Sequence, residues 1–202
     1  MADAAPRRNT GRLPRRVTPA YLENAALHYL QRFATSSANL RRVLMRKVQR
    51  AAEAHGDDPA EGAALVEAML ARYQAAGLLD DRQYAAAKAA SLQRRGTSSR
   101  AIRERLAVRG VDRDLISETV DRLHDEEGGD LAAAAAFARR RRLGPFRPAA
   151  GGRAAGNADE AAARRNKELA AMARAGFAFD VARRVLACTD EEAVEAMLAR
   201  QE

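Results

Sequence analysis

Along this chain apolar side chains recur every three or four residues in short runs, and glycine, proline or a small polar residue closes each run. That is the spacing of short amphipathic helices. The clearest stretch is Gly77 to Leu123. Asp80 stands three residues before Gln83, so its carboxylate can accept an orphan amide at a helix start while Gln83 reaches back, a variant of the capping box. Gly96 and Gly110 stand where the runs Arg82 to Arg95 and Arg100 to Arg109 end, positions at which glycine enters the left-handed turn without a Cβ clash. Asp112 can cap a third helix, whose Leu115, Ile116, Thr119 and Leu123 share one buried face. The pattern predicts three short helices joined by tight turns.

The same punctuation returns elsewhere. Gln31-Arg32-Phe33-Ala34-Thr35-Ser36-Ser37 matches Gln93-Arg94-Arg95-Gly96-Thr97-Ser98-Ser99 at five of seven positions with a constant offset of 62, which lays Leu40 on Ile102 and Leu44 on Leu106. A fainter copy sets Ala175-Gly176-Phe177 with Asp180-Val181 against Arg109-Gly110-Val111 with Asp114-Leu115. Repeated helical units imply an all-α fold, here an elongated tandem array of three three-helix repeats of helix-turn-helix type.

The expected organisation follows in chain order. Residues 1–17 form a disordered basic tail with five arginines against Asp3. Residues 18–79 form the first repeat. Thr18-Pro19 starts its first helix, with Leu22, Ala26, Tyr29, Leu30 and Phe33 on one apolar face. A second helix runs from Ser36 to near Glu53, and Asp58-Pro59-Ala60-Glu61 opens a third with Leu65, Met69, Leu70 and Tyr73 facing the core. Residues 80–128 are the second repeat. Residues 129–202 are the third, with an alanine-rich helix Leu131 to Arg142, a flexible Gly/Pro-rich loop 143–158, a helix from Asp159 and a restart at Ala178 after Gly176. Thr189 to Glu192 reads as a capping box for a short extra C-terminal helix carrying Val194, Met197 and Leu198.

Composition narrows this further. Hydrophobic residues make up 47% of the chain but aromatics only 4%, and much of the remainder is alanine, so small cores between short helices are expected. The net charge of +8 is unevenly spread. Residues 32–50 carry six basic and no acidic side chains, then 53–81 carry seven acidic and one basic. Residues 94–109 have six basic and one acidic, followed by eight acidic and two basic over 112–130; 139–184 and 190–202 repeat the alternation. If each unit presents its second helix on the same side, arginines form a stripe suited to phosphates or an acidic protein groove, with the carboxylates elsewhere. The bland alternative is that these charges only solvate helices and pair locally. The candidate stripe comprises Arg41, Arg42, Arg46 and Lys47; Arg94, Arg95, Arg100, Arg103 and Arg109; and Arg139, Arg140, Arg141 and Arg142.

Several chemistries are disfavoured. Tyr21, Tyr29, Phe33, Tyr73 and Tyr84 fall at core spacing, which argues against a base-stacking platform. The helix spanning Thr97 to Arg109 could pass for a recognition helix but lacks Asn or Gln at reading positions, so sequence-independent backbone contact is expected, to single-stranded and more weakly to double-stranded DNA. His28, His55 and His124 stand apart from each other and from Cys188, without metal-ligand spacing. Gly151, Gly152 and Gly156 lack the Gly-Lys-Ser/Thr ending of a phosphate loop, and Asp80-Asp81 are helix-start residues. No catalytic residue, cofactor or metal is expected. One cysteine rules out an internal disulfide and suits a reducing cytosol. There is no signal sequence and no apolar run near the roughly 20 residues that span a bilayer, so a cytoplasmic monomer is expected.

Gly77-Leu78-Leu79-Asp80-Asp81-Arg82-Gln83-Tyr84-Ala85, followed by Arg95-Gly96, Ile102, Leu106, Gly110-Val111 and Gly176-Phe177, resembles the RecX regulatory proteins of bacteria over about Leu22 to Leu186. The chain departs from that pattern at Asn39, where relatives more often carry glutamate, and in the Gly/Ala/Pro-rich insertion of the third repeat. The resemblance implies three-helix repeats that bind the RecA recombinase filament on single-stranded DNA and inhibit its ATPase, strand-exchange and coprotease activities, so regulating repair, recombination and the SOS response. The alternative is a stand-alone helix-turn-helix DNA-binding protein acting on transcription or nucleoid structure.

Overall fold

The structure, a computed structural model, describes residues 13–126, 129–148 and 158–200, which form α-helices and one 3-10 turn and contain no strand. The helices group into two compact units, one ending at Leu79 and one beginning at Asp80.

The first unit holds α1 (Pro19–Leu30), α2 (Ser37–His55) and α3 (Pro59–Ala75). Each starts on a side-chain cap. The Thr18 hydroxyl accepts the Tyr21 amide at 3.1 Å, Ser36 accepts that of Asn39 at 3.2 Å, and Asp58 accepts that of Ala60 at 2.8 Å. Such caps satisfy amides that have no partner within the helix. Leu22, Ala26, Leu40, Leu44, Val48, Val66 and Tyr73 form the core. Gly62 lets α3 press against α2, because a Cβ there would lie 2.5 Å from Val48 Cγ1. Asn39 is buried and usefully employed: its amide donates to the Tyr29 hydroxyl at 3.1 Å and to Thr35 Oγ1 at 2.8 Å.

Two expectations change here. Phe33 leaves the apolar face of α1 and is 54% exposed, because the helix stops at Leu30 and the amides of Arg32 and Phe33 both fold back on the Tyr29 carbonyl. The ring then lies tilted against Tyr29, with centroids 5.1 Å apart. The expected disordered tail lies outside the described residues up to position 12, but the residues after it are tied down. The Pro14 carbonyl accepts from His55 Nε2 at 2.7 Å, and Arg16 pairs with Asp57 at 3.1 Å.

The second unit carries α4 (Asp81–Arg94), α5 (Ser99–Val108), α6 (Arg113–Glu126), α7 (Gly129–Arg141), a 3-10 turn (Gly144–Phe146), α8 (Ala158–Arg174), α9 (Phe179–Ala187) and α10 (Glu191–Ala199). Asp80, Ser98 and Asp112 cap α4, α5 and α6 as their positions suggest, each accepting amides of the first turn. Around α4, α5 and α6 a core forms from Ala85, Ala89, Leu92, Ile102, Leu106, Ile116 and Val120. A second core joins Leu131, Ala134, Phe137, Ala138, Met172, Phe177, Val185 and Leu186. The offset of 62 holds in three dimensions, since Leu40 and Ile102, like Leu44 and Leu106, are fully buried at equivalent places on α2 and α5.

The start of the expected loop 143–158 is ordered, and residues 149–157 lie outside the described ones. Leu143 and Phe146 pack on the second core, and a Cβ on Gly144 would sit 2.8 Å from a Leu186 methyl. Arg147 donates to the nearly buried Glu168 of α8 at 2.6 Å. The final capping box is also shifted by one residue. Asp190, not Thr189, caps α10 by accepting the Ala193 amide at 2.8 Å, and the Thr189 hydroxyl holds the other carboxylate oxygen at 2.8 Å.

Candidate functional site

In the second unit the basic residues gather where α4 and α7 end. Gly96 follows α4 with φ +73°, and a Cβ there would fall 2.5 Å from the backbone nitrogen of Phe137. Only glycine allows that approach, so the C-terminal half of α7 lies against the end of α4. Arg140 of α7 then donates to the carbonyl of Arg95 at 2.6 Å. The last turn of α7 thus meets the end of α4, each the negative end of a helix dipole, and the two ends carry Arg94, Arg95, Arg139, Arg140, Arg141 and Arg142. Arg140 and Arg141 also lie 5.8 Å from the Phe137 ring centroid, and Arg139 lies 5.1 Å from that of Phe146. Phe137 itself tilts against Phe177 with centroids 5.5 Å apart, which anchors the end of α7 in the second core.

Arg142 closes α7 with φ +55°, the left-handed position that glycine usually takes, while the Leu143 amide reaches back to Ala138 at 2.9 Å. A non-glycine residue held there is strained by roughly 1–2 kcal/mol. Backbone strain of this kind concentrates at functional sites.

The start of α5 is built into the same junction. The Ser98 hydroxyl donates to the Ala175 carbonyl at 2.8 Å, Asp130 accepts the Ser99 amide at 2.7 Å, and the Gln93 side chain donates to the Gly129 carbonyl at 3.2 Å. Arg100 follows directly, beside Gly176.

The remaining stripe candidates are distributed differently. Arg41 on α2 pairs with Glu67 on α3, and Arg103 on α5 pairs with Asp121 on α6 at 2.8 Å. These two arginines are 62 residues apart, so the alternation of basic and acidic segments partly stitches second helices to third helices. Arg100 pairs with Glu104 at 3.3 Å, and Arg139 pairs with Glu191 at 2.7 Å and Glu195 at 3.3 Å. All are exposed pairs of the kind worth about 0–1 kcal/mol, so a phosphate or carboxylate partner can displace them. Arg42 and Arg46 are exposed on α2 with Lys47 half-buried, and Arg109 is exposed at the end of α5.

Arg105, exposed on α5, stands outside the stripe expected from the sequence, and Phe33, assigned there to the core, is exposed. The repeat carried a signal for Phe33, because the offset of 62 pairs it with the exposed Arg95. Burial, with Asp190 adding to it, pushes the Cys188 thiol up from its ordinary value, opposite to an activated cysteine. Among the described residues no His, Cys, Asp or Glu cluster could hold a metal ion, and no helix is long and apolar enough to cross a membrane.

Comparison with known proteins fits this architecture. Residues 80–120 match the family model described as RecX, second three-helix domain. The chain is 44% identical over 174 residues to the regulatory protein RecX of Myxococcus xanthus (strain DK1622), covering 86% of this chain and 88% of that protein. It is 35% identical over 174 residues to the regulatory protein RecX of Agrobacterium fabrum (strain C58), covering 86% of each. No solved structure gives a significant match. With identity of 44% and 35% to two regulatory RecX proteins over 86% of its length, the chain belongs to the RecX family of regulatory proteins.

Proposed function

We propose that this chain regulates the RecA recombinase by binding its filament on single-stranded DNA and lowering its ATP hydrolysis, strand exchange and coprotease activity. Family membership supports the regulatory role. The observation that carries the contact surface is the joined cationic end of α4 and α7, where Arg140 meets the Arg95 carbonyl. Arginines at that junction, with those of α2 and α5, suit phosphates and acidic protein surfaces without selecting a base sequence. A filament repeats its contact sites, and a chain of repeated helical units can engage neighbouring protomers and gain from multivalency. Binding to DNA alone is modest, sequence-independent and weaker for duplex than for single strand. The chain acts as a cytoplasmic monomer, without cofactor, metal or catalysis of its own.

The test is the rate of single-strand-dependent ATP hydrolysis by the cognate recombinase as the chain is titrated in, at low and moderate salt. A fall at substoichiometric chain is expected, relieved by reversing Arg94, Arg95 and Arg139 to Arg142 to glutamate. An unchanged rate under conditions where the chain plainly binds DNA sinks the proposal. A preference for one duplex sequence would point instead to a stand-alone helix-turn-helix protein.

A further inference from the structure

Along α1 and α2 of the first unit runs an open groove of about 730 Å³, lined by residues of that unit. Its wall carries the half-buried rings of Tyr21 and Tyr29, eight residues and so about 12 Å apart along α1. Phe33, more than half exposed, extends this aromatic surface beyond Tyr29. Asn24 and His28 stand on one rim and Lys47 of α2 on the other. Arg15 and Arg16 close one end, held there by the two ties of the preceding segment, His55 to Pro14 and Arg16 to Asp57. Among the described residues no carboxylate lines the groove.

Exposed aromatic rings beside an amide, an imidazole and the cations Arg15 and Lys47, with Arg16 engaged by Asp57, match the chemistry of a nucleotide, whose base stacks on a ring while its phosphate meets a cation. We propose that this groove binds single-stranded DNA directly, with bases against Tyr29 and Phe33 and phosphates on Arg15 and Lys47. The site goes beyond the cationic surface of the filament reading and operates without the recombinase.

The experiment is fluorescence anisotropy of the full chain with an oligo(dT) strand and with an abasic strand of the same length, over a range of salt and with no recombinase present. The intact chain should bind oligo(dT) about tenfold more tightly than the abasic strand, because stacking discriminates bases from bare backbone. Phe33→Ala, a substitution of an exposed side chain, should erase most of that difference. Arg15→Glu should weaken both strands and reduce the salt dependence by about one counterion. An Arg94→Glu, Arg95→Glu variant should keep the oligo(dT) preference. Equal binding of the two strands by the intact chain overturns the proposal, and so does an unchanged preference in Phe33→Ala. Competition by poly-glutamate in the Arg94, Arg95 variant as strong as that by oligo(dT) would assign the groove to an acidic protein segment and overturn it too. Recombinase ATP hydrolysis reports on the filament reading separately, so either idea can fail alone.

Discussion

The end of α1 and the end of α4 occupy matching places in the repeat, yet they finish in different ways. Gln31-Arg32-Phe33-Ala34 corresponds to Gln93-Arg94-Arg95-Gly96, and both lead into the same Thr-Ser-Ser start of the next helix. At α4, Gly96 takes the left-handed turn, the Thr97 amide closes on Leu92 at 3.1 Å, and the α7 backbone settles on the glycine. Gln93 is buried beneath that contact. At α1 no left-handed residue closes the helix; Gln31, Phe33 and Ala34 stay exposed, and an aromatic ring stands where the other unit has an arginine. One missing Cβ separates a helix end that accepts another helix from one that leaves a ring in solvent. The comparison teaches that a repeat can keep its caps and core while two residues change its surface from an arginine beside a packed helix to an exposed aromatic ring.

The sharpest way to break the comparison is to exchange the two small residues. Gly96→Ala adds left-handed backbone strain to a Cβ lodged in the α7 backbone and should cost about 2–5 kcal/mol in urea unfolding. Ala34→Gly, at an exposed turn, should cost less than about 1 kcal/mol. Similar losses at both sites would show that α7 does not rest on Gly96.

Next comes the glutamine pair. Gln93→Ala removes a donor to the Gly129 carbonyl and opens a void, for an expected loss of about 1–3 kcal/mol, whereas Gln31→Ala should stay within about 0.5 kcal/mol. Gln93 Oε1 has no partner in its buried site, which places the loss toward the lower end of that range. A result above that of Gly96→Ala would reverse the order of importance argued here.

Arg142 tests whether the second unit trades stability for charge. Relief of roughly 1–2 kcal/mol of left-handed strain, less about 0.5–1 kcal/mol for the extra freedom of glycine in the unfolded chain, predicts that Arg142→Gly stabilises by up to about 1.5 kcal/mol. The same variant should weaken binding to single-stranded DNA through the lost cation. A less stable Arg142→Gly protein with unchanged binding would remove both halves of the idea.

The smallest effect is in α10, whose Glu191 and Glu195 hold Arg139. The Ala193 amide, then the Thr189 hydroxyl, keep the Asp190 carboxyl below its ordinary range. Because the folded value is the lower one, its stabilisation is present above the usual carboxylate range and disappears as pH falls through the depressed value. Hydrogen exchange at the Ala193 amide should therefore quicken on acidification in the native chain, relative to the intrinsic rate, and vary less in Asp190→Asn. Identical pH responses in the two proteins would show that this carboxylate does not govern the start of α10.

How much of this was legible beforehand depended on the range of the interaction. Asp80, Asp112, Gly96 and Gly110 announce helix boundaries through contacts within a few residues, and the 62-residue offset carries Leu40 onto Ile102 from the sequence alone. The cationic surface was legible only in pieces. Arg94 and Arg95 stood out, as did the run Arg139 to Arg142, but their meeting at the Arg95 carbonyl joins residues 45 apart in the chain. The Thr189 cap was misplaced by one because two adjacent oxygen-bearing side chains compete for the same amide, and only backbone direction selects Asp190.

By itself, then, the amino-acid sequence determined the all-helical class, the capped starts, the glycine stops, the repeat and the family, since all of these rest on local backbone preferences and short-range periodicity. Tertiary structure alone decided that α7 covers Gly96, that Arg41 and Arg103 answer carboxylates on third helices, that Arg142 bears left-handed strain, and that Phe33 faces solvent beside a cationic groove. Those outcomes depend on which helix faces share space, and packing between segments dozens of residues apart is governed by excluded volume and buried area rather than by any short stretch of chain.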